Sequence, residues 1–245
     1  MQRLPRCNVF ASPGAGKTAS TLAALDILSL VDDNVFPALV VGPKRVVNQV
    51  WSDEVAEWAQ FRGLRVSKML GTKNHRHDAL FKPADIYTIN PANLQWLDAE
   101  GYWPFKTVVC DESTLIKNHR VHFRKTRTGK TAMYVTGAKG PRALVKHAKD
   151  VKRWINLTGT PTPNGLGDLW GQQWPIDFGA ALGPTHSFFM QTYFRTAWGS
   201  SDEHRKMELL PGAKDRILDR IAPTSLVIDA YDWFDISRPI VNDMM

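Results

Sequence analysis

Two cysteines, Cys7 and Cys110, are all that 245 residues contain, too few for a disulfide framework. No apolar run approaches the ~18 residues of a membrane span, and Met1-Gln2-Arg3-Leu4-Pro5-Arg6 leads into no hydrophobic stretch of the signal-peptide kind. These absences exclude a membrane role and point to a reducing cytoplasm. Repeats and low-complexity tracts are also missing. Acid is nearly missing from one segment: Lys117 to Arg153 holds twelve Lys or Arg against a single acid, Asp150. That segment carries +11 of a chain whose net charge is +7, leaving the rest at −4. Basic charge focused in this way suggests contact with a polyanion.

What is present argues for a packed core. Nine Trp and eleven Phe are too many for a solvated chain, and the length allows one large domain or one with an appendage. Short β-rich runs alternate with amphipathic stretches, the pattern of a parallel α/β sheet. Strands are expected at Asn8–Ala11, Pro37–Gly42, Arg65–Leu70, Asp85–Thr88, Thr107–Cys110 and Trp154–Leu157. Lys17–Leu30 reads as a helix. Val47, Trp51, Val55 and Trp58 place a second across Lys44–Phe61, with both tryptophans in the core. Thr126–Pro141 reads as a flexible insertion. After Trp170 the pattern turns helical, and Pro223–Met245 reads as an exit segment.

Three motifs carry chemistry. Ala11-Ser12-Pro13-Gly14-Ala15-Gly16-Lys17-Thr18 follows a strand and opens a helix, the setting of a phosphate-binding loop. Its glycines allow a tight turn that points N–H groups at phosphates, assisted by the helix N-terminus. Lys17 would reach the phosphates and Thr18 would place its hydroxyl on Mg²⁺. In Thr107-Val108-Val109-Cys110-Asp111-Glu112 a strand ends in two carboxylates. Asp111 suits the metal's hydration shell, and Glu112 suits the activation of a water. Leu157-Thr158-Gly159-Thr160-Pro161 follows a third strand, with two hydroxyls flanking a glycine. His75-x-His77 and His119-x-x-His122 lack an acidic or cysteine partner at ligand spacing, and no site is expected there.

In this order, with Ser113-Thr114-Leu115-Ile116-Lys117-Asn118 after the carboxylates, the set resembles the first motor domain of DEAD/DEAH-like superfamily-two helicases, in their Swi/Snf-type translocase branch with its phage-encoded relatives. The resemblance runs from about Phe10 to Asp229, and LTGTPTPNGLGDLW (157–170) is its most specific stretch. It implies an α/β RecA-like P-loop domain, a parallel sheet flanked by helices, with a helical C-terminal extension. Residues 1–175 would form the ATP-binding domain, with a basic insertion at about 117–153. Residues 176–245 would lead toward a second RecA-like domain beyond this chain or in another one.

The resemblance also implies ATP and Mg²⁺ as cofactors, and DNA as the polymer, with RNA left open. Nucleotide would be held by Pro13, Gly14, Ala15, Gly16, Lys17, Thr18 and Ala19, and metal by Thr18 and Asp111. Lys17, Asp111 and Glu112 would be catalytic, and Thr158, Gly159 and Thr160 would couple the site to the polymer. Val40-Val41-Gly42-Pro43-Lys44 and Thr88-Ile89-Asn90 are similar to backbone-gripping loops, so Lys44, Arg45, Asn90, Lys117 and Asn118 become candidate nucleic-acid contacts. The compartment would be the cytoplasm, that of a host cell if a phage encodes the chain. The family carries an adenine-reading Gln well upstream of the loop, a place Gln2 is too close to fill. A chain without the second domain and its arginine finger would turn ATP over poorly, so a hydrolysis-poor binding or docking module is the alternative.

Overall fold

Apolar strands buried on both faces dictate the architecture seen in a computed structural model of the chain, which describes residues 1, 3–197 and 207–228. Gln2 and Asp229, named above, lie outside the described residues, as does most of the exit segment. In chain order the elements begin β1 (Arg6–Ala11), α1 (Lys17–Ser29), β2 (Ala38–Val41), α2 (Trp51–Glu57), β3 (Val66–Lys68), α3 (Lys73–Phe81), β4 (Ile86–Ile89), α4 (Leu94–Ala99) and β5 (Thr107–Asp111). They continue with β6 (His119–Lys125), β7 (Thr131–Gly137), α5 (Lys139–Lys146), β8 (Arg153–Thr158), α6 (Leu169–Asp177) and α7 (His186–Tyr193). Last come β9 (Phe194–Thr196), β10 (Met207–Leu209), α8 (Ala213–Ile221) and β11 (Ser225–Ile228).

Seven strands form one sheet in the order β11-β1-β8-β5-β2-β4-β3, and every pairing in it is parallel. Such a sheet needs cover on both sides, so its inner strands read as unbroken apolar runs. The two-residue period divides them. Leu39, Val41, Val108 and Cys110 enter one core, with α5, α6 and α8. Ala38, Val40 and Val109 enter the other, beneath α1 and α2. All six expected strands are present, and α1 matches its expected span.

Four features differ from the sequence reading. The expected helix over Lys44–Phe61 is broken: a π turn at Val46–Val50 runs into α2, and the chain extends at Trp58 before a 3-10 turn at Ala59–Phe61. Val47, Trp51 and Val55 share the buried face, while Trp58 lies past the helix end, 48% exposed, its indole donating to Glu54 Oε2 at 2.9 Å. Thr126–Pro141 is not a loose insertion. β6 and β7 pair antiparallel from His119↔Gly137 to Lys125↔Thr131, and α5 follows. The alternation that buries Val121 against Val135 is the physical cause. A division at residue 175 falls inside α6. The extension holds α7 and α8 as expected, but its β11 also forms the sheet's outer strand beside β1. No helix among the described residues is long and apolar enough to cross a membrane.

Candidate nucleotide and nucleic-acid site

Parallel register brings the motifs to one edge. Phe10 lies opposite Thr158, Asp111 opposite Leu157, and Val41 opposite both Cys110 and Ile89. The loops leaving β1, β8, β5, β2 and β4 therefore emerge side by side at the strands' C-terminal ends, where α/β sheets bind ligands.

In the loop after β1, Gly14 (φ 81°) and Gly16 (φ 66°) adopt the left-handed conformation that the turn requires. Gly16 precedes α1 with no side-chain cap and no acid in the first turn. The first-turn N–H groups lack intrahelical acceptors, so the positive end of the helix is left to a ligand. A Cβ on Gly14 would meet only open space. Lys17 Nζ folds back onto the carbonyls of Ala11 (2.8 Å) and Ser12 (3.0 Å). Burial lowers its pKa, while the charges of Asp111 and Glu112 oppose that shift. Pro13 is exposed; Thr18 and Ala19 are half-buried.

Asp111 ends β5. Burial raises its pKa, against a 2.8 Å hydrogen bond donated by the Trp51 indole to Oδ2 and the attraction of Lys17. Glu112 sits at φ 71°, a left-handed conformation unusual for this residue type. Its N–H donates to Leu157 O at 2.9 Å. Its Oε1 accepts from the hydroxyl of Thr158 at 2.7 Å and from that of Thr114. Thr158 Oγ1 in turn accepts from the N–H of Thr160 at 3.1 Å. Gly159 presses on the phosphate loop, since a Cβ there would lie 3.2 Å from the Pro13 ring and 3.3 Å from Ala11 O. The three motifs thus touch: loop to Gly159, Thr158 to Glu112, and Lys17 in the field of both carboxylates.

The donor set fits a magnesium-bound nucleotide. It offers one cation, an uncapped helix N-terminus, a hydroxyl at Thr18 and the paired carboxylates of Asp111 and Glu112. Among the candidate nucleic-acid contacts, Lys44, Arg45 and Asn118 are exposed and Asn90 is half-buried. Lys117 differs: its Nζ is 2.7 Å from Asp168 Oδ2, both side chains being largely covered.

Three further residues make contacts that the sequence reading did not foresee. Trp51 was assigned to the core, and it is buried, yet its indole N–H serves Asp111; the polar handle of a Trp was the available signal. Gln172, wholly buried, accepts from Ser113 Oγ at 2.6 Å and donates to Pro161 O at 2.6 Å, bridging the segments that follow the carboxylates and the Thr-Gly-Thr. Gly42 lies against β5, where a Cβ would stand 2.9 Å from Asp111 O. His75, His77, His119 and His122 join no group of metal-ligating side chains among the described residues.

Comparison with known proteins agrees with this geometry. The SNF2-related domain matches residues 7–172. Protein p41 of Acyrthosiphon pisum secondary endosymbiont phage 1 is 41% identical over 98% of this chain and 50% of its own length. The ATP-dependent DNA helicase CHR23 of Arabidopsis thaliana is 29% identical over 64% of this chain and 13% of its own. The chain thus spans about half or less of these relatives. Among solved structures, the Sulfolobus solfataricus SWI2/SNF2 ATPase core in complex with dsDNA superposes with a TM-score of 0.64 at 23% identity, over 93% of this chain and 41% of that one, which shows the same fold. By sequence and by architecture, the chain belongs to the SNF2-related domain family.

Proposed function

We propose that this chain is the nucleotide-binding motor domain of an ATP-dependent DNA helicase or translocase. The observation that carries the reading is the contact of Thr158 with Glu112, which joins the carboxylate pair to the Thr-Gly-Thr turn at the sheet edge that also holds the phosphate loop. Gly14–Ala19 N–H groups and Lys17 would hold the phosphates, and Thr18 and Asp111 the Mg²⁺. Bound ATP–Mg²⁺ supplies a phosphoanhydride whose hydrolysis releases free energy. Lys17 would exchange the carbonyls of Ala11 and Ser12 for phosphate oxygens. Glu112 would orient a water and take its proton, with Oε1 fixed by Thr158.

Lys44, Arg45, Asn90, Lys117 and Asn118 would meet the phosphate backbone without reading bases. Lys117 can do so only by releasing Asp168. Two features support DNA as the polymer: the basic segment at 117–153, and a solved relative of the same fold held on dsDNA. A second RecA-like domain would complete the nucleotide site.

ATP hydrolysis by the chain, with and without single- and double-stranded DNA, tests the reading against Lys17→Ala and Glu112→Gln. Stimulation by DNA that both substitutions abolish is the expected result. Nucleotide binding without DNA-dependent turnover would replace it with the hydrolysis-poor module.

A further inference from the structure

The hairpin of β6 and β7 is an arm with no structural need for its surface. Its register runs through seven residue pairs and is closed by a tied turn, where the N–H of Thr126 donates to Lys130 O at 2.7 Å. One face packs on the core through Val121 and Val135, with Met133 partly buried beside them and Phe123, opposite Met133, 44% exposed. The other face carries Arg120, His122, Arg124 and Tyr134, which is also 44% exposed. Arg120, Arg124, Lys125, Arg127 and Lys130 lie on the same arm, which holds no acid. Among the described residues none of these five cations makes a salt bridge.

The planar groups are ordered. His122 stacks on Tyr134 with centroids 4.9 Å apart and planes 18° apart, and the Arg124 guanidinium lies 5.6 Å from the Tyr134 centroid. The distal Phe123 makes no ring contact among the described residues.

The root of the arm fixes where it projects. The N–H of Ala138 donates to Asn118 O at 2.8 Å, and a Cβ on Gly137 would lie 2.5 Å from that same carbonyl. Just beyond, a Cβ on Gly140 would lie 2.5 Å from Pro91 O. The root of the hairpin is therefore tied to the Asn118 loop, and the first turn of α5 that follows it abuts Pro91 next to Asn90, two of the candidate backbone contacts. Cations alone would suffice to hold a duplex, whose bases offer no free faces along its length. Exposed aromatic and guanidinium planes gain from unpaired bases, which do.

We propose that the outward face of the β6–β7 hairpin is a binding surface for an unpaired strand, with the arm's cations on the phosphates and with the His122–Tyr134–Arg124 group stacking on bases. The proposal rests on the nucleic-acid role argued above. It specifies that a single-stranded segment beside the motor's track is held by stacking.

The test is fluorescence anisotropy of the full chain on a blunt DNA duplex and on the same duplex carrying a single-stranded tail, with 2-aminopurine in the tail to report stacking. The wild type should prefer the tailed DNA several-fold and quench the 2-aminopurine. Tyr134→Ala should lose roughly tenfold on the tailed DNA and keep its affinity for the blunt duplex. Tyr134→Trp should restore the preference, which a merely structural role would not predict. Equal binding of both DNAs by the wild type, or an unchanged preference in Tyr134→Ala, overturns the hairpin proposal alone. Binding to neither DNA overturns it together with the nucleic-acid role on which it rests.

Discussion

Glu112 is useful only if its carboxylate is aimed, and Thr158 and Thr114 do the aiming. Thr158→Val keeps the shape and removes one donor. We expect kcat for ATP to fall roughly ten- to a hundredfold, less than the 10²–10⁴ that a positioned base supplies in full, with nucleotide affinity unchanged in a binding titration. Asp111 carries the opposite demand, because burial favours its neutral form and the Trp51 indole counters that. Trp51→Phe removes the counterweight, so the carboxyl pKa rises further and more of it is protonated at acid pH. Mg²⁺ titrations of nucleotide binding should show the variant needing more metal than wild type, with the gap widening as the pH is lowered. Trp51 also shows why residue roles were only partly legible. Its helical spacing correctly gave burial, but spacing says nothing of where an N–H points. The placement of Lys17, Thr18, Asp111 and Glu112 at strand ends was legible because their order and strand–loop–helix setting are local.

At the scale of elements, α6 is the part that holds the motif loops together. Gly171 approaches Lys117 so closely that a Cβ would collide with its carbonyl, and Gln172 bridges Ser113 to Pro161. Gly171→Ala should cost about 1–3 kcal/mol, as overpacking does, read as a lower urea midpoint. The root of β6 is also buried. His119 Nδ1 lies 2.9 Å from Ile116 O, its Nε2 has no partner among the described residues, and its ring packs on Trp170. Burial lowers the pKa of His119 to about 4; His186, on α7 beside Trp170, is also lowered to about 4, and the Arg120 charge adds to both shifts. The unfolded chain then binds these protons more readily than the folded one. Stability is full above the ordinary histidine range near pH 6.5 and falls as pH drops toward 4, by at most about 1.4 kcal/mol per pH unit for each group. Melting curves across that interval should show the loss, and His119→Phe should remove its share and leave that of His186. The hairpin and β11 were the elements least legible. A four-residue edge strand is fixed by pairing with β1, more than two hundred residues away in sequence. The hairpin's alternation was masked by its charge.

Across the whole molecule, one parallel sheet delivers five loops to a single edge, and the basic arm rises from the same side. The five inner strands were legible because double burial writes them as apolar runs, and the edge strand β3 fell within an expected run as well. The basic segment was legible as charge but not as the hairpin it forms. The central claim is that this edge is a nucleotide site whose binding and turnover are separable. The most direct measurement is equilibrium binding of a fluorescent ATP analogue with Mg²⁺ to the wild type, Lys17→Ala and Glu112→Gln. The account predicts that Glu112→Gln binds as the wild type does while failing to hydrolyse ATP, and that Lys17→Ala loses at least tenfold in affinity. Wild-type affinity in Lys17→Ala would contradict it.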